Sequence, residues 1–279
     1  MSRRVTAIAT MTAAVATVIV VTAGTGASQA PAGAAQVYAP PRTPNGQPDL
    51  QGVWQAVNAA AADIEDHSPG LGTPGGYGVV EGGRIPYLPA ALAIKKQNFE
   101  KRATADPERN CYLPGIPRIT YMPFPFEILQ FPDQVVIVYE YLGVTRSIFL
   151  TGKHPDPDVI DFWMGDSRGR WEGNTLVVDV ANFNDQTWFD RAGNFHSDAL
   201  HVTERFTRTG PDHMSYEATI EDPKVFSRPW KMSMPLYRRQ ERNLRLLEYE
   251  CYAYMEEEAG KGNLKLPWSG LEREGMPGK

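Results

Sequence analysis

From Phe126 onward the chain repeats one pattern, short apolar runs each closed by a turn. The runs fall at 126–131, 134–142, 145–150, 160–164, 174–180, 200–208, 214–221, 229–237 and 245–254. The breaks carry turn chemistry, as at Pro132-Asp133, Gly143, Gly173-Asn174 and Gly210-Pro211-Asp212. Alternation is clearest late in the chain. Trp230, Met232, Met234 and Leu236 share one face, and Lys231 and Ser233 take the other; Tyr216, Ala218 and Ile220 oppose Glu217, Thr219 and Glu221. A period of two with one greasy face reads as a half-buried antiparallel sheet. Many sequential short strands with little helix favour a meander that closes on itself over a sandwich. The expected fold is mostly β: an antiparallel closed barrel of about 8–10 strands.

The first half reads differently. Asp49 to Trp54 is strand-like and ends in a large aromatic. Residues 63–90 form a Gly- and Pro-rich loop that Tyr77, Ile85, Tyr87 and Leu88 can anchor. One helix follows over Ala90 to Arg102, with Pro89 at its first turn and Asp106-Pro107 beyond its end. Cys111 to Pro125 is broken by four prolines. The barrel domain is expected over 49–256, interrupted by an insertion at 57–125, with a tail at 257–279 and no internal repeat.

Residues 1–34 read as a signal peptide. Arg3 and Arg4 precede an uncharged apolar run from Ala7 to Val21, and Ala32-Gly33-Ala34 is a cleavage triplet. The run is short for a span of ~20 apolar residues, so no membrane anchor is expected after cleavage. Residues 35–48, with Pro40, Pro41, Pro44 and Pro48, read as a linker. The product would be periplasmic or secreted. Export makes a bridge between Cys111 and Cys251 chemically accessible, and two buried thiols are the alternative. A net charge of −5 without a basic stripe argues against a nucleic-acid partner.

Gly52-Val53-Trp54 resembles the G-x-W opening of lipocalin-type barrels. Trp171-Glu172-Gly173-Asn174-Thr175-Leu176 and Glu204-Arg205-Phe206 resemble small exported lipocalin-like bacterial domains. The stretches from Met164 to Trp171 and on to Glu221-Asp222-Pro223 are similar to an uncharacterised family of exported bacterial proteins. The resemblance covers residues 47–255 and implies a barrel with a cavity; it implies no reaction. The long 57–125 insertion departs from a lipocalin.

Chemistry concentrates between Asn184 and Arg205. Glu204 falls in phase with Leu200, Val202 and Phe206, which places a carboxylate among hydrophobes. Burial would raise its pKa unless a cation such as Arg170 or Arg228 pairs with it. His196 and Asp190 share a loop and could act as an acid–base pair. Arg170 could grip a substrate carboxylate from a turn spanning Gly165 to Arg170. Glu204, His196, Asp190 and Arg170 are thus the candidate catalytic residues, each with a structural alternative: an ion pair, a hydrogen-bonded loop, a surface arginine. Trp171, Trp188, Tyr216, Trp230, Met232 and Met234 could line a ligand pocket, or simply form core. His201 and Glu204 project to opposite faces of one strand, and two cysteines alone make no zinc site, so neither metal nor cofactor is expected.

Three functions remain open. A lipocalin-like cup would hold a small, mostly apolar or aromatic molecule. A metal-free isomerase, lyase or hydrolase would use Glu204 and the loop from Asp185 to His201. An envelope structural or interaction protein would show an exposed apolar patch in place of a cavity.

Overall fold

The computed structural model describes residues 38–258, so the segment read as a signal peptide lies outside the described residues. Nine strands close into one barrel in sequence order: β1 (Gly52–Ala56), β2 (Phe126–Gln130), β3 (Gln134–Tyr139), β4 (Thr145–Phe149), β5 (Asp166–Glu172), β6 (Thr175–Ala181), β7 (His201–Arg208), β8 (His213–Glu221) and β9 (Trp230–Arg238). The ring closes where Trp54, Gln55 and Ala56 pair antiparallel with Arg238, Tyr237 and Leu236.

The meander is antiparallel except at β4 and β5, which run parallel and share only the pairs Ile148–Ser167 and Phe149–Arg168. The crossover between them occupies residues 150–165 and returns the chain to the end where β4 began. It contains no strand at 160–164. The strand instead covers Asp166–Glu172, most of which the sequence presents as a turn with two arginines. Its polarity hides it: Ser167 is the one fully buried residue, and alternate positions carry Asp166, Arg168, Arg170 and Glu172. Gly169 fits because a Cβ there would sit 2.7 Å from Ile148 Cγ2 and 2.9 Å from Leu150 Cδ2. Such spacing is well inside van der Waals contact.

Alternation on β7, β8 and β9 matches expectation. On β7 every second residue is buried, and Glu204 points inward with Val202 and Phe206. Tyr216, Ala218 and Ile220 on β8 and Trp230, Met232, Met234 and Leu236 on β9 are all core. The inward side chains fill the barrel. Trp54, Phe126, Val178, Tyr216 and Met232 have no accessible surface, and Ile137, Tyr139 and Phe206 are 1% exposed. A void large enough for water would leave accessible area on its walls.

Outside the ring lies α1 (Pro89–Ala105), 17 residues long, close to the expected helix, with proline in its first turn and Arg102 in its last. A loop glycine lets it dock. Gly193 has φ +82°, and a Cβ there would meet Phe99 N at 2.7 Å and Asn98 Cβ at 2.8 Å. Asn98 Nδ2 donates to Gly193 O at 3.3 Å. Two further short helices were not expected, α2 (Arg118–Tyr121) and α3 (Cys251–Glu258). The strand expected at 245–254 is replaced by α3, preceded by a single bridge from Tyr249 to Tyr141.

The insertion is fastened by charge and by a covalent bond. Buried Arg118 donates to both oxygens of Asp106, at 2.8 and 3.0 Å, and to Glu108 Oε2 at 2.7 Å. Arg191 donates to Glu108 from Nε at 2.8 Å and Nη2 at 2.5 Å. Cys111 and Cys251 form a disulfide that ties α3 to the second half of the insertion. Among the described residues no helix is long and apolar enough to cross a membrane.

Candidate functional site

Glu204 sits at the barrel centre between Val178 on β6 and Ala218 on β8. Its cation is Arg146 on β4, rather than Arg170 or Arg228. Arg146 Nη1 donates to Glu204 Oε1 at 3.2 Å and Nη2 donates to Oε2. Tyr216 Oη donates to Oε1 at 2.9 Å, and Arg146 Nε donates to Ser167 Oγ at 3.0 Å. Burial pulls the Arg146 guanidinium toward neutrality, but Glu204 beside it outweighs burial and holds it charged. Burial, reinforced by the Glu204 charge, pushes the Tyr216 phenol well above its usual range. Both partners of the ion pair are almost inaccessible.

The loop before β7 holds Asp190 and His196, both buried. Asp190 Oδ2 accepts from Ile64 N at 2.9 Å and Asn194 Nδ2 at 2.6 Å, and Oδ1 accepts from Asn194 N at 3.1 Å. Burial, with the Asp63 carboxylate nearby, pushes its pKa up to about 7 despite these three donors. His196 Nε2 lies 2.6 Å from Thr187 Oγ1, and Nδ1 lies 2.8 Å from Ser197 O. The carbonyl can only accept, so Nδ1 carries the hydrogen and the threonine hydroxyl donates to Nε2. Burial lowers the imidazole pKa, which favours that neutral ring.

Arg170 faces outward, more than half exposed, and pairs with Glu172 at 2.8 Å. Glu204, His196, Asp190 and Arg170 therefore each have a separate set of partners. Among the described residues, no hydrogen bond joins any two of them. Tyr216 and Met232 have no accessible surface, and Trp230, Met234 and Trp188 are 3%, 5% and 9% exposed. These side chains occupy the space that they would otherwise line. Trp171 is half-buried, and its indole Nε1 is buried without a partner.

A charged chain on the outer face was not foreseen. His154 Nδ1 lies 2.7 Å from Asp166 on β5, and Nε2 lies 3.0 Å from Asp179 on β6. His201 Nε2 lies 2.6 Å from the other Asp179 oxygen, and Arg168 braces Asp166 at 2.6 and 3.0 Å. In sequence His154 stands between Lys153 and Pro155 and reads as an ordinary loop residue. Its partners become neighbours only when β5 and β6 join the ring. Among the described residues, no three His, Cys, Asp or Glu side chains are grouped to hold a metal.

Accessible space lies along α1. A groove of about 590 Å³ is lined by Asp63, Pro89, Leu92, Lys96, Phe99 and Ala192, among others. Leu92 is 54% exposed and Phe99 39%. Lys95 at its edge is tied to Glu65 at 3.3 Å. Burial raises the Asp63 pKa, even though the backbone N–H of Glu65 donates to its carboxylate. The groove thus has an apolar floor, a lysine, Lys96, that makes no ion pair among the described residues, and the Asp63 carboxyl group, whose charge reaches the buried Asp190. No protein-family model matches the sequence. No curated protein matches it either.

Proposed function

We propose that this chain is an exported, disulfide-bonded barrel protein that binds a small, mostly apolar or aromatic molecule in the groove beside α1. The carrying observation is the pair Leu92 and Phe99, large apolar side chains left open to water on a helix otherwise docked by Asn98 and Gly193. Covering them with a ligand removes apolar surface from water at about 25 cal/mol per Å². The filled barrel interior directs binding to this outer groove. Export is supported by the basic and apolar N-terminal sequence together with the Cys111–Cys251 bond. Membership of the uncharacterised family of exported bacterial proteins belongs to the same reading, on the strength of Gly52-Val53-Trp54 and the segment from Met164 to Trp171.

A thermal-shift screen of sterols, polyphenols, fatty acids and sugar acids tests the reading. A true ligand raises the Tm of the wild type and of Met232→Leu, inside the barrel, but not of Leu92→Arg. A ligand that stabilises Leu92→Arg as well as it does the wild type would remove the groove from consideration.

A second reading, metal-free acid–base catalysis, draws on one observation. The carboxylate of Asp63, which lines the groove, helps burial to push the pKa of Asp190 behind it up to about 7. A carboxyl group poised near neutrality suits proton transfer. The same screen, followed for chemical conversion, discriminates. Catalysis requires turnover that Asp63→Asn abolishes without weakening ligand binding.

A further inference from the structure

The face of α1 that carries the groove continues past Phe99 into a second cleft of about 470 Å³, lined in part by Glu100, Arg102, Asp106, Arg109 and Arg191. Lys96 and Phe99 in the groove, and Glu100 and Ala103 in the cleft, follow at helical spacings of three and four. The two spaces meet where the Arg102 guanidinium lies 4.0 Å over the Phe99 ring.

The charges of the cleft do not cancel. Both Asp106 oxygens are taken by Arg118, and Glu108 behind them is shared between Arg118 and Arg191. Arg109 is exposed; its backbone N–H donates to Asp106 O at 3.0 Å, but among the described residues its guanidinium has neither a hydrogen bond nor an ion pair. Arg191 is held by Nε and Nη2, and among the described residues its Nη1 has no hydrogen bond and can donate. Arg102 uses Nη1 on the Phe99 carbonyl, at 2.5 Å. With Arg118 and Arg191 balanced by Asp106 and Glu108, the cleft keeps two further guanidiniums, Arg102 and Arg109, against the single carboxylate of Glu100, in a chain whose net charge is −5. Guanidinium forks match planar carboxylates and phosphates.

We propose that this cleft is an oxyanion subsite that holds a carboxylate or phosphate group among Arg102, Arg109 and Arg191. In combination with the groove, a reading on which this part of the proposal rests, the ligand is an amphipathic acid. Its apolar body covers Leu92 and Phe99, and its head reaches the arginines.

Isothermal titration of the purified protein at low ionic strength tests this with three probes: inorganic phosphate, octanoate and 1-octanol. Phosphate is expected to bind saturably, and octanoate at least tenfold more tightly than octanol. Arg109→Glu should abolish phosphate binding and erase the octanoate preference while leaving octanol unchanged. The Arg109 side chain is exposed and, among the described residues, unbonded, so that variant keeps the fold; Glu100→Gln should strengthen phosphate binding. Octanol binding with no preference for the acid overturns the subsite and leaves the groove standing. Phosphate binding that Arg109→Glu removes, without octanol binding, sustains the subsite for a free oxyanion and overturns the groove. Equal phosphate affinity in wild type and Arg109→Glu, or no binding of either anion, overturns the subsite.

Discussion

Arg146 on β4 and Glu204 on β7 meet inside the barrel as a two-pronged ion pair with almost no water access. Such a pair gives little net stability relative to well-packed hydrophobes, but removing one member strands the other charge in an apolar interior. Glu204→Leu or Arg146→Met alone should cost about 3–5 kcal/mol in denaturant unfolding. The double variant should recover most of that loss. If it is as unstable as the sum of the two single variants, the pair is not an energetic unit.

Asp190 gives the protein a pH dependence of definite sign. Its pKa is about 7 in the fold and about 4 unfolded, so between those values the folded state binds more protons. Its stabilising contribution is present below pH 4 and lost as pH rises through 7. Asp190→Asn should flatten this fall, which could reach about 4 kcal/mol for a shift of about three pKa units. His196 acts oppositely: its lowered pKa costs stability as pH falls below the unfolded imidazole value, about 6.5. Urea midpoints of Asp190→Asn and His196→Gln between pH 4 and 8 separate the two. Parallel profiles for wild type and Asp190→Asn would show that Asp190 titrates normally.

The Cys111–Cys251 bond joins positions 140 residues apart. On the chain-entropy account, a loop of that length is worth up to about 5 kcal/mol. Cys111→Ser/Cys251→Ser should lower the unfolding free energy by about 2–5 kcal/mol, and reductant should do the same to wild type but not to the variant. Labelling of unfolded, unreduced wild type with a thiol reagent should find no free thiol.

Gly169 on β5 leaves no room for a side chain beside Ile148 and Leu150. Gly169→Val would press side-chain atoms into Ile148 and Leu150, at an expected cost of about 1–3 kcal/mol. A calorimetric Tm unchanged from wild type would mean that β4 and β5 lie farther apart.

What the sequence disclosed, and what it hid, follow from range. On β7, β8 and β9 alternation alone orients each side chain, so the inward turn of Glu204 was legible from Leu200, Val202 and Phe206. Its partner was not, because Arg146 lies 58 positions away and reaches Glu204 only after the ring has closed. β5 was misread because its interior positions are Ser167, Gly169 and Trp171, so only one large apolar residue signals a buried face. Residues 245–254 looked like another strand, although from Cys251 the chain is a helix tied by a bond to the distant Cys111. The aromatic and methionine stripe was correctly oriented, but alternation cannot distinguish residues that line a space from residues that occupy it. The α1 groove carries no linear motif, since Asp63 and Ala192 reach it from loops far apart in sequence.

The parallel junction of β4 and β5 bears on how the cylinder holds its shape. Main-chain pairing there is the scantest in the circuit, two residues against three or more at every other junction. Arg146 spans that gap from within, one nitrogen on Ser167 across the gap and two on Glu204. The barrel is thus stitched at its thinnest line by a side chain, and a wall that parts lengthwise would part there first once that arginine is gone.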